Sequence, residues 1–267
     1  MTPRRRAARL VAFLRRRPRL AVAAVGVVIA LSAASAAWTS VRTAQILTID
    51  PDLVAGRQDL VAFALPRGRS GFEQHCASCH GAAGRGAPSR GVPDLTDQDW
   101  LYGSGKVSEV ETVILYGVRA PHPKTWKLAR MPAYARRVPY PPEPALQSLS
   151  PGDIGDVVSF LLAVEGRGRA SEASLRGGAI FGGRGGCYDC HGPDAHGDPG
   201  VGAPNLTDDI WLYGSGRPQE IFDTIAYGRA GVCPAWAGRL KPALIREIAL
   251  YVHSLSAAPA PSGRGGL

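Results

Sequence analysis

Cys76-Ala77-Ser78-Cys79-His80 and Cys187-Tyr188-Asp189-Cys190-His191 decide how this chain is read. The spacing C-x-x-C-H is the covalent attachment signal for a c-type haem. Two cysteines a turn apart each form a thioether to one haem vinyl group, and the adjoining histidine is held under the iron. Outward from each motif the sequence repeats itself. Leu95-Thr96-Asp97 returns as Leu206-Thr207-Asp208, and Trp100-Leu101-Tyr102-Gly103-Ser104-Gly105 returns as Trp211-Leu212-Tyr213-Gly214-Ser215-Gly216, each 111 positions on, as Cys187 is from Cys76. One large constant offset indicates duplication of a whole domain. A thiol redox pair or half a zinc site would need neither the adjacent histidines nor the duplication. The expected cofactors are two covalently bound c-type haems, attached at Cys76, Cys79, Cys187 and Cys190, with His80 and His191 as iron ligands.

The 267 residues leave room for two ordinary domains with extensions, and the net charge is +9. Eight arginines (4, 5, 6, 9, 15, 16, 17 and 19) precede the first apolar run, and without them the charge falls to +1. The basic stretch is therefore a topology signal, which excludes a nucleic-acid partner. Leu20 to Trp38 is uncharged and just long enough to span a bilayer as a helix. The arginines place its start in the cytoplasm. A cleaved signal peptide competes, because Ala34-Ser35-Ala36 is an A-x-A pattern, but length and flanking charge favour an uncleaved anchor. Either way the haem domains reach the periplasm of a bacterial inner membrane, here by a single pass.

The expected fold is all-α: two tandem class I cytochrome c domains behind one N-terminal transmembrane helix. The boundaries are a basic cytoplasmic segment at 1–19, the span at 20–38, a spacer at 39–65, and a first cytochrome domain at 66–165. A Gly/Arg/Ser-rich linker at 166–174, a second domain at 175–256 and a disordered Pro/Ala/Gly tail at 257–267 follow. Pro218 suits a first helical position, with Ile221, Phe222 and Ile225 on one stripe and Tyr227-Gly228 closing the helix. Ser150 reads as the N-cap of the first domain's closing helix, which carries Ile154, Val157, Val158, Leu161 and Leu162. Its counterpart carries Leu244, Ile248, Tyr251, Val252 and Leu255. Domains this small need the haem as part of the core.

For the sixth iron position the first domain offers Met131, 51 residues beyond His80 and the only methionine after Met1. A His80/Met131 pair predicts a relatively high potential. The aligned segment of the second domain is Cys233-Pro234-Ala235-Trp236, where no methionine is available. Thiolate ligation by Cys233, an open site and a different ligand all remain open, with thiolate ligation the leading expectation and a low potential its consequence. His196 and His253 are poor substitutes, and His75 and His122 read as surface residues. Pro93 and Pro204 offer carbonyls to orient the proximal rings. Arg119 and Arg229 offer guanidiniums to haem propionates.

Gly202 to Asp208, Trp211 to Gly214, Gly228 to Val232, Pro234 to Leu240 and Tyr251 to Leu255 together resemble the dihaem cytochrome c subunit (subunit III) of cbb3-type cytochrome c oxidases. The resemblance covers about residues 66–256. It implies a membrane-anchored electron carrier that takes electrons from a small periplasmic cytochrome c and passes them to other respiratory oxidase subunits. It also implies His80, Met131 and His191 as axial ligands. Two features depart from the family: Cys233 stands where it carries an axial methionine, and the only apolar span lacks its aromatic, proline-containing character. A relative serving a dehydrogenase is the neighbouring expectation. The contrasting one is a dihaem enzyme that oxidises a small sulfur compound at a Cys-ligated haem, like the thiosulfate dehydrogenases. A redox or gas sensor would want a signalling domain, and none is recognisable. An electron-transfer subunit is favoured over a catalytic chain.

Overall fold

A computed structural model describes residues 18–136 and 148–257. Most of the basic cytoplasmic segment and nearly all of the expected tail lie outside them. The chain divides after Ile49 into two compact units.

The first unit contains helix α1 (Pro18–Thr48), 31 residues and thus about 46 Å long. It is apolar and exposed along the stretch that would cross a bilayer. The helix does not stop at Trp38. No glycine or proline interrupts Thr39 to Asp50, so the helical hydrogen bonding runs on to Thr48. Part of the expected spacer is therefore rigid helix, and Ala34-Ser35-Ala36 lies inside it.

The second unit is built from helices joined by glycine-rich loops. Short α2 (Pro51–Ala55) is capped by Asp50. Its Asp52 accepts the backbone N–H and hydroxyl of Ser108. α3 (Gln58–His75) leads into α4 (Ala77–His80), which carries the first motif, and α5 (Val107–Tyr116) follows. α6 (Pro151–Val164) is capped by Ser150, whose hydroxyl accepts from Asp153 N–H at 3.1 Å while the Asp153 carboxylate accepts from Ser150 N–H at 2.9 Å. α7 (Glu172–Phe181) leads into α8 (Tyr188–His191), which carries the second motif. α9 (Pro218–Tyr227) and α10 (Pro242–Ala257) complete the unit. Among the described residues, β pairing is limited to isolated bridges.

The packing does not follow the repeats. α10, the last helix among the described residues, lies against α3 and α5 of the first repeat. α6, the last helix of the first repeat, lies against α7 and α9 of the second. Glycines enforce both crossings. A Cβ at Gly68 in α3 would run into the Glu247 carbonyl of α10, and one at Gly177 in α7 would run into the Asp156 carbonyl of α6. The ring contacts mirror one another: Phe72 lies 5.4 Å from Tyr251, and Phe181 lies 5.2 Å from Phe160. A nearly buried ion pair, Arg246 Nε to Glu111 at 2.8 Å, ties α10 to α5. Each cytochrome unit is thus completed by the closing helix of the other repeat. Chain order suggested the opposite. The connection from α6 to α7 is only a few residues, so α6 folds back on its immediate neighbour at small entropic cost.

Candidate haem site

Each histidine of a C-x-x-C-H motif ends a one-turn helix, and the following glycine, at φ 76°, turns the chain away. Nδ1 of His80 lies 3.2 Å from the Pro93 carbonyl, and Nδ1 of His191 lies 3.0 Å from that of Pro204. A carbonyl only accepts, so Nδ1 carries the hydrogen in both rings and Nε2 presents a lone pair. Burial lowers both pKa values, which keeps the imidazoles neutral as metal ligation requires. Phe72 and Phe181 each sit 6.5 Å from the proximal ring of their own repeat.

None of the five cysteines is in a disulfide. Burial pushes Cys76 up to about 12, with the Cys233 thiol next in importance, and Cys187 up to about 11. Burial also lifts Cys233 to about 11, with Cys79 as its second cause. The Tyr134 hydroxyl pulls Cys187 the other way and donates to the Gly185 carbonyl at 2.7 Å.

One apolar cavity runs through the unit and reaches both motifs. Leu95, Trp100 and Ile114 line it, as do their repeat mates Leu206, Trp211 and Ile225. A packed protein core ordinarily leaves few voids larger than a water molecule. An apolar void that presents two thiols and an imidazole Nε2 in each half fits a covalently attached haem. The tryptophans of the repeated Trp-Leu-Tyr-Gly segment line it, a role their repetition signalled but did not specify. His75, half-buried, lines it too, 5.1 Å from the Trp236 ring. His122 stacks on Tyr116 at 4.9 Å. His196 pairs with Asp194 on the surface, and His253 Nδ1 lies 2.8 Å from the Gly105 carbonyl.

Met131 and Cys233 both face this cavity, but not in the halves chain order assigns. Val118 N–H donates to the Cys233 carbonyl at 2.9 Å, and Cys233 N–H returns a bond to Val118 at 3.0 Å. Trp236 N–H reaches the Ile114 carbonyl at 3.0 Å. Met131 N–H donates to Arg229 at 3.1 Å, Arg229 N–H returns at 3.2 Å, and Tyr134 N–H donates to Ile225 at 3.0 Å. Met131, like Cys187, Leu206 and Trp211, packs against the buried cluster that includes Ile154, Phe181, Ile221 and Ile225. The Cys233 segment lies on the end of α5, by the first motif. The Met131 segment thus lies against α9 of the second repeat, not beside the first motif as its place in the chain suggested.

Arg119, at φ 51°, donates to the Gly231 carbonyl at 2.5 Å and the Ala129 carbonyl at 3.0 Å, tying the two crossing segments together. Arg229 donates to the Thr224 hydroxyl at 2.9 and 3.2 Å and lies 4.5 Å over the Tyr213 ring. Both arginines line the cavity. Their guanidiniums are engaged with protein groups.

An all-α pair of cytochrome c units, each with a C-x-x-C-H motif opening on an apolar cavity, defines a dihaem c-type cytochrome. The cytochrome c family model matches residues 66–165, and the model described as cytochrome c oxidase, cbb3-type, subunit III matches residues 174–252. The chain is 40% identical to the cbb3-type cytochrome c oxidase subunit FixP of Bradyrhizobium sp. over 214 residues, 80% of this chain and 67% of that protein. It is 38% identical to subunit CcoP of Rhodobacter capsulatus over 219 residues, 79% of this chain and 69% of that protein. The corresponding values for subunit CcoP of Cereibacter sphaeroides are 35% over 211 residues, 79% and 68%. The chain belongs to the family of dihaem subunits (subunit III) of cbb3-type oxidases. Its cofactors are two covalent c-type haems, and α1 makes it a membrane-anchored member.

Proposed function

We propose that this chain is an electron relay of a respiratory chain. Its haem units stand in the bacterial periplasm, where they take electrons from a small cytochrome c and pass them to the other subunits of a haem-copper oxidase. The carrying observation is that one apolar cavity is lined by two proximal imidazoles and two sulfur side chains, His80 and His191 with Met131 and Cys233. A haem held at each motif would supply a one-electron iron couple, and His80, His191, Met131 and Cys233 would hold the irons so that no substrate need bind to them. The chain's own residues hold and tune it. Pro93 and Pro204 fix the imidazole tautomer, the thioether or thiolate sets the potential, and the apolar lining keeps water out.

Family membership favours this relay over oxidation of a sulfur compound, and the cavity arginines are already committed to protein acceptors and an aromatic ring. A dehydrogenase partner is the finer alternative among acceptors. The test is a redox titration of the detergent-purified protein, followed by stopped-flow reduction with a small c-type cytochrome and co-purification with oxidase subunits. Two one-electron waves, rapid reduction and oxidase co-purification are expected. Steady turnover of thiosulfate by the isolated protein would overturn the relay.

A further inference from the structure

We infer that the strip formed by the segments around Leu128 and Val232 is the docking face for a diffusing one-electron carrier protein whose own face is acidic. This rests on the relay proposed above and adds where the carrier lands and what charge it bears.

Charge along the chain is sorted. From Thr112 to Arg136 no acid accompanies Arg119, Lys124, Lys127, Arg130 and Arg136. From Thr224 to Arg246 none accompanies Arg229, Arg239, Lys241 and Arg246. The stretch that carries the second motif is the reverse: Gly185 to Gly216 holds Asp189, Asp194, Asp198, Asp208 and Asp209 and no lysine or arginine.

Folding gathers the two acid-free segments into one surface. Val118 bridges both Trp126 and Cys233, and Met131 bridges Arg229. The Arg119 guanidinium closes the frame by binding the Ala129 and Gly231 carbonyls together. Within that frame Leu128 and Val232 are 76% and 68% exposed, too much for residues that serve the core. Exposed Lys124, Lys127, Arg130 and Arg136 flank Leu128 along the chain, and exposed Arg239 and Lys241 follow Val232. Lys124 is held 5.4 Å over the Tyr116 ring, at the end of α5 beside Val118.

A small apolar centre with a charged rim is the anatomy of a transient contact. Permanent subunit contacts bury a larger, more apolar area. Opposite charge on a carrier raises its encounter rate and orients it on arrival. The strip is also a wall of the apolar cavity, which Ala129, Met131, Gly231, Val232 and Cys233 line. A carrier seated on Leu128 and Val232 is separated from that cavity only by the residues of the strip.

The test mixes the full dihaem chain, reduced and in detergent, with one of two oxidised carriers in a stopped-flow instrument: the acidic copper protein plastocyanin or the basic mitochondrial cytochrome c. Oxidation by plastocyanin should fall about tenfold or more as salt is raised, whereas oxidation by cytochrome c should not fall. The opposite salt dependence would overturn the proposal. Lys124→Glu, Lys127→Glu and Arg136→Glu together should reverse the preference between carriers and leave both haem potentials in place. Leu128→Ser should slow plastocyanin with its salt dependence unchanged. Arg69→Glu, on the exposed side of α3, is the control and should change neither rate. Unchanged rates and salt slopes in the triple variant would overturn the docking face and leave the relay standing. Electron exchange with neither carrier would overturn the relay too. A triple variant that keeps both carrier rates but no longer co-purifies with oxidase subunits would give this face to the oxidase and overturn the proposal.

Discussion

Val118 and Cys233 stand on different repeats and hold each other by two backbone hydrogen bonds, 2.9 and 3.0 Å. Their repeat mates Arg229 and Met131 do the same at 3.1 and 3.2 Å. These two bridges mark where the chain crosses from one cytochrome unit to the other, and they govern the behaviour expected of its variants.

A thiolate of Cys233 on the iron, as expected from the sequence, would stabilise the ferric state, and a thioether in its place would not. Cys233→Met should raise one potential by on the order of 200 mV, or about 4–5 kcal/mol at 59 mV per tenfold. The wave that moves should be the lower one, and the Met131-linked wave should stay in place. Spectroelectrochemical titration measures this; two unmoved waves would remove Cys233 from the ligand set.

Arg119 binds carbonyls on both crossing segments, whereas Arg229 binds a single threonine hydroxyl. Arg119→Ala should therefore loosen both distal ligands, giving a larger high-spin fraction and faster carbon monoxide binding at both haems. Arg229→Ala should leave those readouts nearly unchanged. Equal effects of the two substitutions would argue against the pinning role.

Overpacking at the helix crossings should cost about 1–3 kcal/mol apiece. Gly68→Ala and Gly177→Ala each push a methyl into a facing backbone carbonyl that cannot swing aside. Gly155→Ala, in open space on α6, is the control and should be neutral or slightly stabilising. Denaturant midpoints compare the three.

The Arg246–Glu111 pair is almost fully buried, with side-chain exposures of 9% and 13%. Arg246→Met alone leaves an uncompensated carboxylate and should cost about 3–5 kcal/mol. Arg246→Met with Glu111→Leu should recover most of that loss. A double mutant no more stable than the single one would show that the pair is not coupled.

Glu247, buried on α10, is pushed up to about 7 by desolvation; Arg67, 4.0 Å away, pulls it down only partly. An acid raised on folding favours the native state in its protonated form. Its contribution is full below the unfolded value near 4.3 and is lost as pH climbs through 7, with a ceiling of about 3 kcal/mol. Wild type should therefore lose stability between pH 5 and 8, and Glu247→Gln should lose less over that window. Parallel pH profiles for the two proteins would refute this.

Much of the site was legible because its chemistry is local. C-x-x-C-H places two thiols and an imidazole within one helical turn, and Pro93 and Pro204 lie near enough in sequence to meet the Nδ1 of their own histidines. Ser150, Pro218 and Gly228 mark helix ends by their own conformational preferences, and those helices form where the pattern puts them. The extension of α1 to Thr48 was harder to read because its last turns lose the apolar continuity that marks a span while keeping helix-compatible residues.

The sequence by itself determined that this is a duplicated, helical, dihaem cytochrome with one apolar anchor helix and two sulfur candidates for the distal positions. Only the tertiary structure decided which distal segment and which closing helix pack against which repeat. Duplication is the reason. Gly68 and Gly177, or Phe72 and Phe181, present nearly equivalent surfaces, so α6 and α10 each fit either site and no local pattern distinguishes them. The choice falls to connectivity and to long-range contacts such as Arg246 with Glu111 and Arg119 with Gly231, which link residues more than a hundred positions apart. Their energies exist only once the whole chain has closed on itself.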